Sequence, residues 1–84
     1  MPPVTMYSTQ ACPYCIMAEK FLQKKGITNL DKILIDCDPA KREFMITRTG
    51  RRTVPQIYIG DNHIGGYDDL VALDQAGQLD LLLA

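Results

Sequence analysis

Cys12-Pro13-Tyr14-Cys15 is the stretch whose surroundings decide how this chain reads. Val4-Thr5-Met6-Tyr7-Ser8 precedes it and Ile16-Met17-Ala18-Glu19-Lys20-Phe21-Leu22 follows. Two cysteines three apart sit on adjacent turns of a helix start, close enough to close a disulfide. A thiol there faces unpaired backbone N–H groups and the positive end of the helix dipole, which favour the thiolate over the thiol. The five residues before it read as a strand, and Ile16 onward reads as an amphipathic helix. Strand, tight loop with CxxC, then helix is the context expected of a thiol–disulfide site. Cys12 is the expected nucleophile and Cys15 its resolving partner one turn later.

Working outward, the 84 residues make one small domain, spanning 1–84, with room for a single modest core. Hydrophobic residues at 46% and charged residues at 23% are ordinary globular values. A net charge of -1 leaves no electrostatic footprint for nucleic acid or an anionic membrane. No stretch approaches the roughly 20 apolar residues of a membrane span. Met1-Pro2-Pro3-Val4 shows neither the basic nor the apolar region of a secretory leader. Three cysteines is an odd count, whereas a secreted disulfide scaffold of this size pairs four or more. A Cys12–Cys15 bridge would close too small a loop to staple a fold. A reducing, cytoplasmic setting is therefore expected.

Along the chain the first strand covers about Val4 to Ser8. A helix follows from about Pro13 to Lys25, with proline in the first turn and Gly26 after two lysines at its end. Its apolar face is expected at Ile16, Ala18, Phe21 and Leu22. Ile33-Leu34-Ile35 reads as a strand buried on both faces. Asp38-Pro39 opens a second helix to Thr49, closed by Gly50. Phe44, Met45 and Ile46 join Phe21 and Leu22 as core candidates. Gln56 to Ile59 is a third strand, turned by Gly60-Asp61-Asn62 into a short fourth at His63-Ile64 that Gly65-Gly66 breaks. Asp68 could cap a last helix with Leu70, Val71, Leu73 and Ala76 inward. Leu79 to Leu83 adds a closing turn after Gly77. The order β-α-β-α-β-β-α, with strands joined through helices parallel and the last two a hairpin, gives an α/β chain. The expected architecture is a thioredoxin-like fold, a mixed four-stranded sheet with helices on both faces.

Two further segments carry chemistry. Thr53-Val54-Pro55 puts a proline directly before a strand, where it cannot donate to a ladder. A cis Val54–Pro55 bond would turn the Val54 N–H and C=O outward, free to pair with an extended peptide; from these residues alone a plain turn proline at a strand edge is the safer reading. Gly65-Gly66-Tyr67-Asp68-Asp69 combines close backbone approach with a helix start that offers N–H groups to a carboxylate. Asp68 or Asp69 could accept from an ammonium. A turn and a cap would account for one glycine and one aspartate. A zinc site would want four N/S ligands, and beyond the CxxC only Cys37 and His63 remain, at unrelated spacings; no metal is expected. Cys37, between two aspartates, is expected to be less reactive than Cys12, and His63 is expected at the surface.

CPYC, TVP and GGYDD, in this order, resemble the glutaredoxins over essentially the whole chain, and are most similar to the small bacterial dithiol members. The resemblance implies a monomeric, glutathione-dependent thiol–disulfide oxidoreductase that reduces protein–glutathione mixed disulfides and protein disulfides, with glutathione as cosubstrate and glutathione reductase acting indirectly. Carried over by position, Cys12 and Cys15 are the catalytic pair and Tyr14 flanks the glutathione sulfur. Thr53, Val54 and Pro55 form the loop on which the cysteinyl backbone pairs, with Val54 making the antiparallel bonds across a cis bond. Gly66, Tyr67, Asp68 and Asp69 receive the γ-glutamyl end, and Arg42 matches a position that contacts the glycyl carboxylate. Many members carry a lysine three residues before the first cysteine. Here Thr9 stands there, which should either weaken glycyl-carboxylate binding or shift that load to Arg42, Arg51 or Arg52, the last two ranked below Arg42. The alternative implied function is a glutathione-ligated iron–sulfur carrier, although members specialised for it more often have one active-site cysteine followed by glycine.

Overall fold

A computed structural model describes residues 2–84. Its elements in chain order are β1 (Val4–Ser8), α1 (Pro13–Lys24), β2 (Asp31–Leu34), α2 (Pro39–Thr49), β3 (Gln56–Ile59), β4 (Asn62–Gly65), α3 (Tyr67–Gln75) and α4 (Leu79–Leu83). The four strands form one sheet in the order β2-β1-β3-β4. β1 pairs parallel with β2 and antiparallel with β3, and β3 pairs antiparallel with β4 through a bulge at Ile57/Tyr58. This is the thioredoxin-like fold expected. The parallel rule holds across α1 but not across α2. β2 leaves the sheet where Leu34 faces Ser8, and β3 enters at the same end, where Gln56 faces Tyr7. The chain from α2 to Pro55 thus starts and finishes at one end of the sheet, so β3 runs back against β1.

Period-2 alternation on the central strands sorts side chains into two cores. Val4, Met6, Ile57 and Ile59 join Cys15, Ala18 and Leu22 of α1, with Leu70, Leu79 and Leu83 from α3 and α4. Tyr7 and Tyr58 point the other way, onto Met45 of α2 and Ile35. Helices therefore cover both faces. Among the described residues, no helix is long and apolar enough to cross a membrane.

Several local expectations change. The strand buried on both faces is not β2, an edge strand whose Asp31 and Lys32 are exposed and whose Ile33 and Leu34 are only half-buried. Every residue of β3 is buried instead. Ile35 is buried but lies beyond the end of β2. The inward stripe of α1 is Cys15, Ala18 and Leu22, spaced three and four apart, while Ile16 is half exposed at 50%. Phe44 is 59% exposed, because Met45 takes the inward position on α2. Ala76 is exposed at the end of α3. β4 begins at Asn62 and includes Gly65, one residue longer at each end than its apolar letters suggest.

Candidate active site

The strand register gathers the three motifs. Ser8 ends β1, Gln56 begins β3 beside Tyr7, and Gly65 ends β4 opposite Ile57. The loops carrying Cys12, Thr53–Pro55 and Gly66 therefore leave from one end of the sheet. An Asp36 carboxylate accepts from the Gln10 N–H at 3.0 Å and ties the CxxC loop to the chain after β2. The sequence singled out Cys37 in this segment, which is exposed with its thiol 3.8 Å from Asp36 Oδ1; Asp36 itself carried no motif signal.

Cys12 is the N-cap of α1, with extended backbone at φ -120° and ψ 105°. Its carbonyl accepts the first helical bond from Ile16 at 3.1 Å. Its Sγ accepts from the Cys15 N–H at 3.2 Å, in the place a serine or aspartate oxygen usually takes. Pro13 occupies the first helical position, where no N–H is needed. Cys12 is half-buried, with Sγ 3.8 Å from the Val54 carbonyl oxygen. Cys15, one turn on, is 3% exposed and belongs to the core. Burial above all, and then its hydrogen bond with Cys12, push the Cys15 thiol up; contacts with Ser8 and Thr9 act the other way. One sulfur is thus presented and the other is held protonated behind it.

Beside the Cys12 sulfur lies an open cleft of about 210 Å³. Thr53, Val54, Pro55 and Gln56 form one wall; Gly66, Tyr67, Asp68 and Asp69 form the other; Tyr14 and Arg51 complete it. The Val54–Pro55 bond is cis. Tyr67 stands with its ring centroid 6.3 Å from that of Tyr14 and edge-on to Phe21 at the same distance. Arg42 is exposed on α2 and is not among the lining residues, whereas Arg51 is.

The turn into α3 differs from expectation. Gly66, not Asp68, is the N-cap, and Tyr67 is the first helical residue. Asp69, three residues in, reaches back so that its Oδ2 accepts from the Gly66 N–H at 2.9 Å. The same oxygen pairs with Arg51 Nη1 at 3.1 Å. The Gly66 N–H first, and Arg51 second, hold the Asp69 carboxyl below its usual value. Asp68 stays exposed on the first turn. Gly65 sits at φ +107°, and a Cβ there would run into the Asp69 carboxylate, with Arg51 Nη1 close behind. The first glycine therefore serves this ion pair, whereas a Cβ on the second would stand in ordinary contact, 3.6 Å from the Pro55 carbonyl oxygen. Among the described residues, no three His, Cys, Asp or Glu side chains converge as a metal-ligand set.

A CxxC at a helix start, facing an X-Pro loop across the end of a thioredoxin-like sheet, defines a thiol–disulfide oxidoreductase. The glutaredoxin family model matches residues 4–64. A glutaredoxin of Pseudomonas aeruginosa is 50% identical over 84 residues, covering 100% of this chain and 99% of that protein. Glutaredoxin 3 of Escherichia coli is 52% identical over 83 residues, with 99% of each chain covered. Among solved structures, a buckwheat glutaredoxin–glutathione complex superposes with a TM-score of 0.88 at 30% identity, over 98% of this chain and 76% of that one. This chain belongs to the glutaredoxin family.

Proposed function

We propose that this protein reduces protein–glutathione mixed disulfides, and protein disulfides, with glutathione as electron donor, as a monomer in a reducing cytoplasm. The observation that carries the reading is the position of Cys12 Sγ, 3.8 Å from the carbonyl of Val54, which lines a cleft with the Thr53–Pro55 loop on one side and a helix start on the other. The buckwheat relative was solved as a complex with glutathione. The cleft suits a tripeptide thiol. Its cysteinyl backbone pairs with Val54 as an added strand would. Its γ-glutamyl carboxylate meets the N–H groups that open α3. Its ammonium falls to Asp68, because Asp69 is committed to Gly66 and Arg51. Its glycyl carboxylate falls to Arg42 on α2, because Arg51 is paired with Asp69 at the γ-glutamyl end.

The Cys12 thiolate attacks the glutathione sulfur of the mixed disulfide, and the protein thiolate leaves and takes a proton. A second glutathione thiolate attacks the Cys12–glutathione disulfide, releasing oxidised glutathione and regenerating the Cys12 thiolate. With a protein disulfide, Cys12 forms the mixed disulfide. Cys15 then gives up its proton and attacks Cys12 Sγ, expelling the second protein thiol. Two glutathiones reduce the resulting Cys12–Cys15 bond. Such exchange runs through the attacking thiolate, so the half-exposed sulfur starts it and the buried one ends it.

The test is reduction of a small glutathione mixed disulfide, coupled to glutathione reductase. Cys12→Ser should abolish turnover, and Cys15→Ser should retain much of it. Equal loss in both variants would rule out the single-thiol route.

A further inference from the structure

Gln56 opens β3 immediately after Pro55 and is 1% exposed. Both ends of its amide are engaged. Nε2 donates to the Thr53 carbonyl oxygen at 3.0 Å and to Thr53 Oγ1 at 3.3 Å. A carbonyl oxygen only accepts, so Thr53 fixes which end of the amide is nitrogen. The amide oxygen must then face His63 Nε2, 2.7 Å away on β4. That oxygen also only accepts, so His63 carries its hydrogen on Nε2. One backbone carbonyl thus determines the orientation of two side chains. Among the described residues, every buried side-chain nitrogen and oxygen has a partner. Without the His63 donor, the Gln56 oxygen would be a buried acceptor with none, and the amide would turn away from Thr53 to find one.

The His63 ring is itself held. It stacks on Tyr58 at 5.0 Å between centroids, with planes 24° apart. The Tyr58 ring carries the Arg48 guanidinium 3.7 Å from its centroid, and the Tyr58 hydroxyl donates to the Arg48 carbonyl at 3.4 Å. The end of α2 therefore braces the ring that braces His63.

We propose that His63 is a positioning residue for ligand binding: by donating to Gln56 it fixes the amide that fixes Thr53, and so sets where the Thr53–Val54 backbone stands beside Cys12. This rests on reading that backbone as the seat of glutathione. A seat held in place before the ligand arrives loses less freedom on binding, so the effect falls mainly on affinity. Neutral Nε2–H and protonated histidine both donate from Nε2, so the contact survives a change of pH.

Two substitutions at this surface position separate the hydrogen bond from the ring. His63→Phe keeps a ring against Tyr58 and removes the donor. His63→Gln removes the ring and places an N–H near the former Nε2. His63→Phe should raise KM for glutathione-containing substrate about tenfold with kcat changed less than about twofold, and His63→Gln should stay within about threefold of wild type in both. A glutamine variant as impaired as the phenylalanine variant, or a phenylalanine variant equal to wild type, would overturn the proposal. The second arm contains no glutathione. Backbone amide resonances of Thr53 and Val54 in the unliganded protein should move in His63→Phe and stay in place in His63→Gln. Shifts that instead follow loss of the ring would overturn the role assigned to the donor. Wild-type protein that does not turn over glutathione would refute the function proposed above, while the resonances would still decide the role of His63.

Discussion

Cys12 and Cys15 share one helix start, yet the first is half-buried beside a cleft and the second packs in the core. Spacing alone announces the pair; the burial that separates their roles depends on α1 lying against the sheet. The same holds for the two aspartates of the last motif. Adjacent in sequence and alike in chemistry, they part because only Asp69 stands three residues after the N-cap and can reach its N–H. Asp69 also makes the stability of the site depend on acid. Its folded carboxyl is held below the unfolded value, so its contribution is present above the unfolded value and is lost as pH falls through the folded one. Asp69→Asn keeps an oxygen for Gly66 and removes the charge facing Arg51. Urea midpoints at pH 7 should favour wild type by up to about 1 kcal/mol, since the pair is half exposed. The gap should close as pH falls below about 4. A gap that widens in acid would show that the ion pair does not act this way.

At the scale of elements, the ends of α1 and α2 were legible because capping chemistry is local, whereas the start of α3 was read two residues late, with Asp68 in place of Gly66 as the cap. Asp38 accepts from the Ala40 N–H at 3.0 Å, and Gly50 ends α2 with φ +71°. Which face of a helix turns inward was harder to read. α1 offers two adjacent apolar stripes, and the one that wins begins with the small side chains of Cys15 and Ala18 rather than with Ile16. Apolar letters mark both stripes; only the partner surface decides between them. Leu22→Ala should cost about 2–5 kcal/mol in urea unfolding, whereas Ile16→Ala should stay within about 0.5 kcal/mol. Comparable losses would put Ile16 back in the core. Strands show the converse difficulty. Ile33-Leu34-Ile35 looked central and lies at an edge, while β1, with its threonine, tyrosine and serine, lies in the middle. Burial of a strand follows from its neighbours, which its own letters do not encode.

For the whole molecule, strand order and register do what no motif can: they bring residues 12, 54 and 66 to one end of a sheet. The element order alone did not predict that convergence, because the parallel rule carried across α2 would have put Pro55 at the far end of the sheet from Cys12; only the resemblance of the three motifs implied it. The support from Asp36, Gln56 and His63 was not readable either, because single polar residues far apart in sequence carry no pattern. The far end of the chain matters as well. Leu79 and Leu83 of α4 are buried in the main core, beyond the span of the family match. Burying two leucines contributes roughly 3–6 kcal/mol, against about 5–15 kcal/mol of total stability for a domain. A chain ending at Gln78 should lose about that much, read from its urea midpoint; an unchanged midpoint would make α4 an ornament on the core. The place of β2 has a last consequence. An outermost strand leaves N–H and C=O groups unpaired and invites another chain to add on. β2 meets that hazard with only four residues and with Asp31 and Lys32 exposed along them, and Lys32 is engaged with Glu19 at 3.2 Å. A neighbouring strand laid there would have to bury opposite charges for a handful of bonds, so this edge disfavours the addition of another chain.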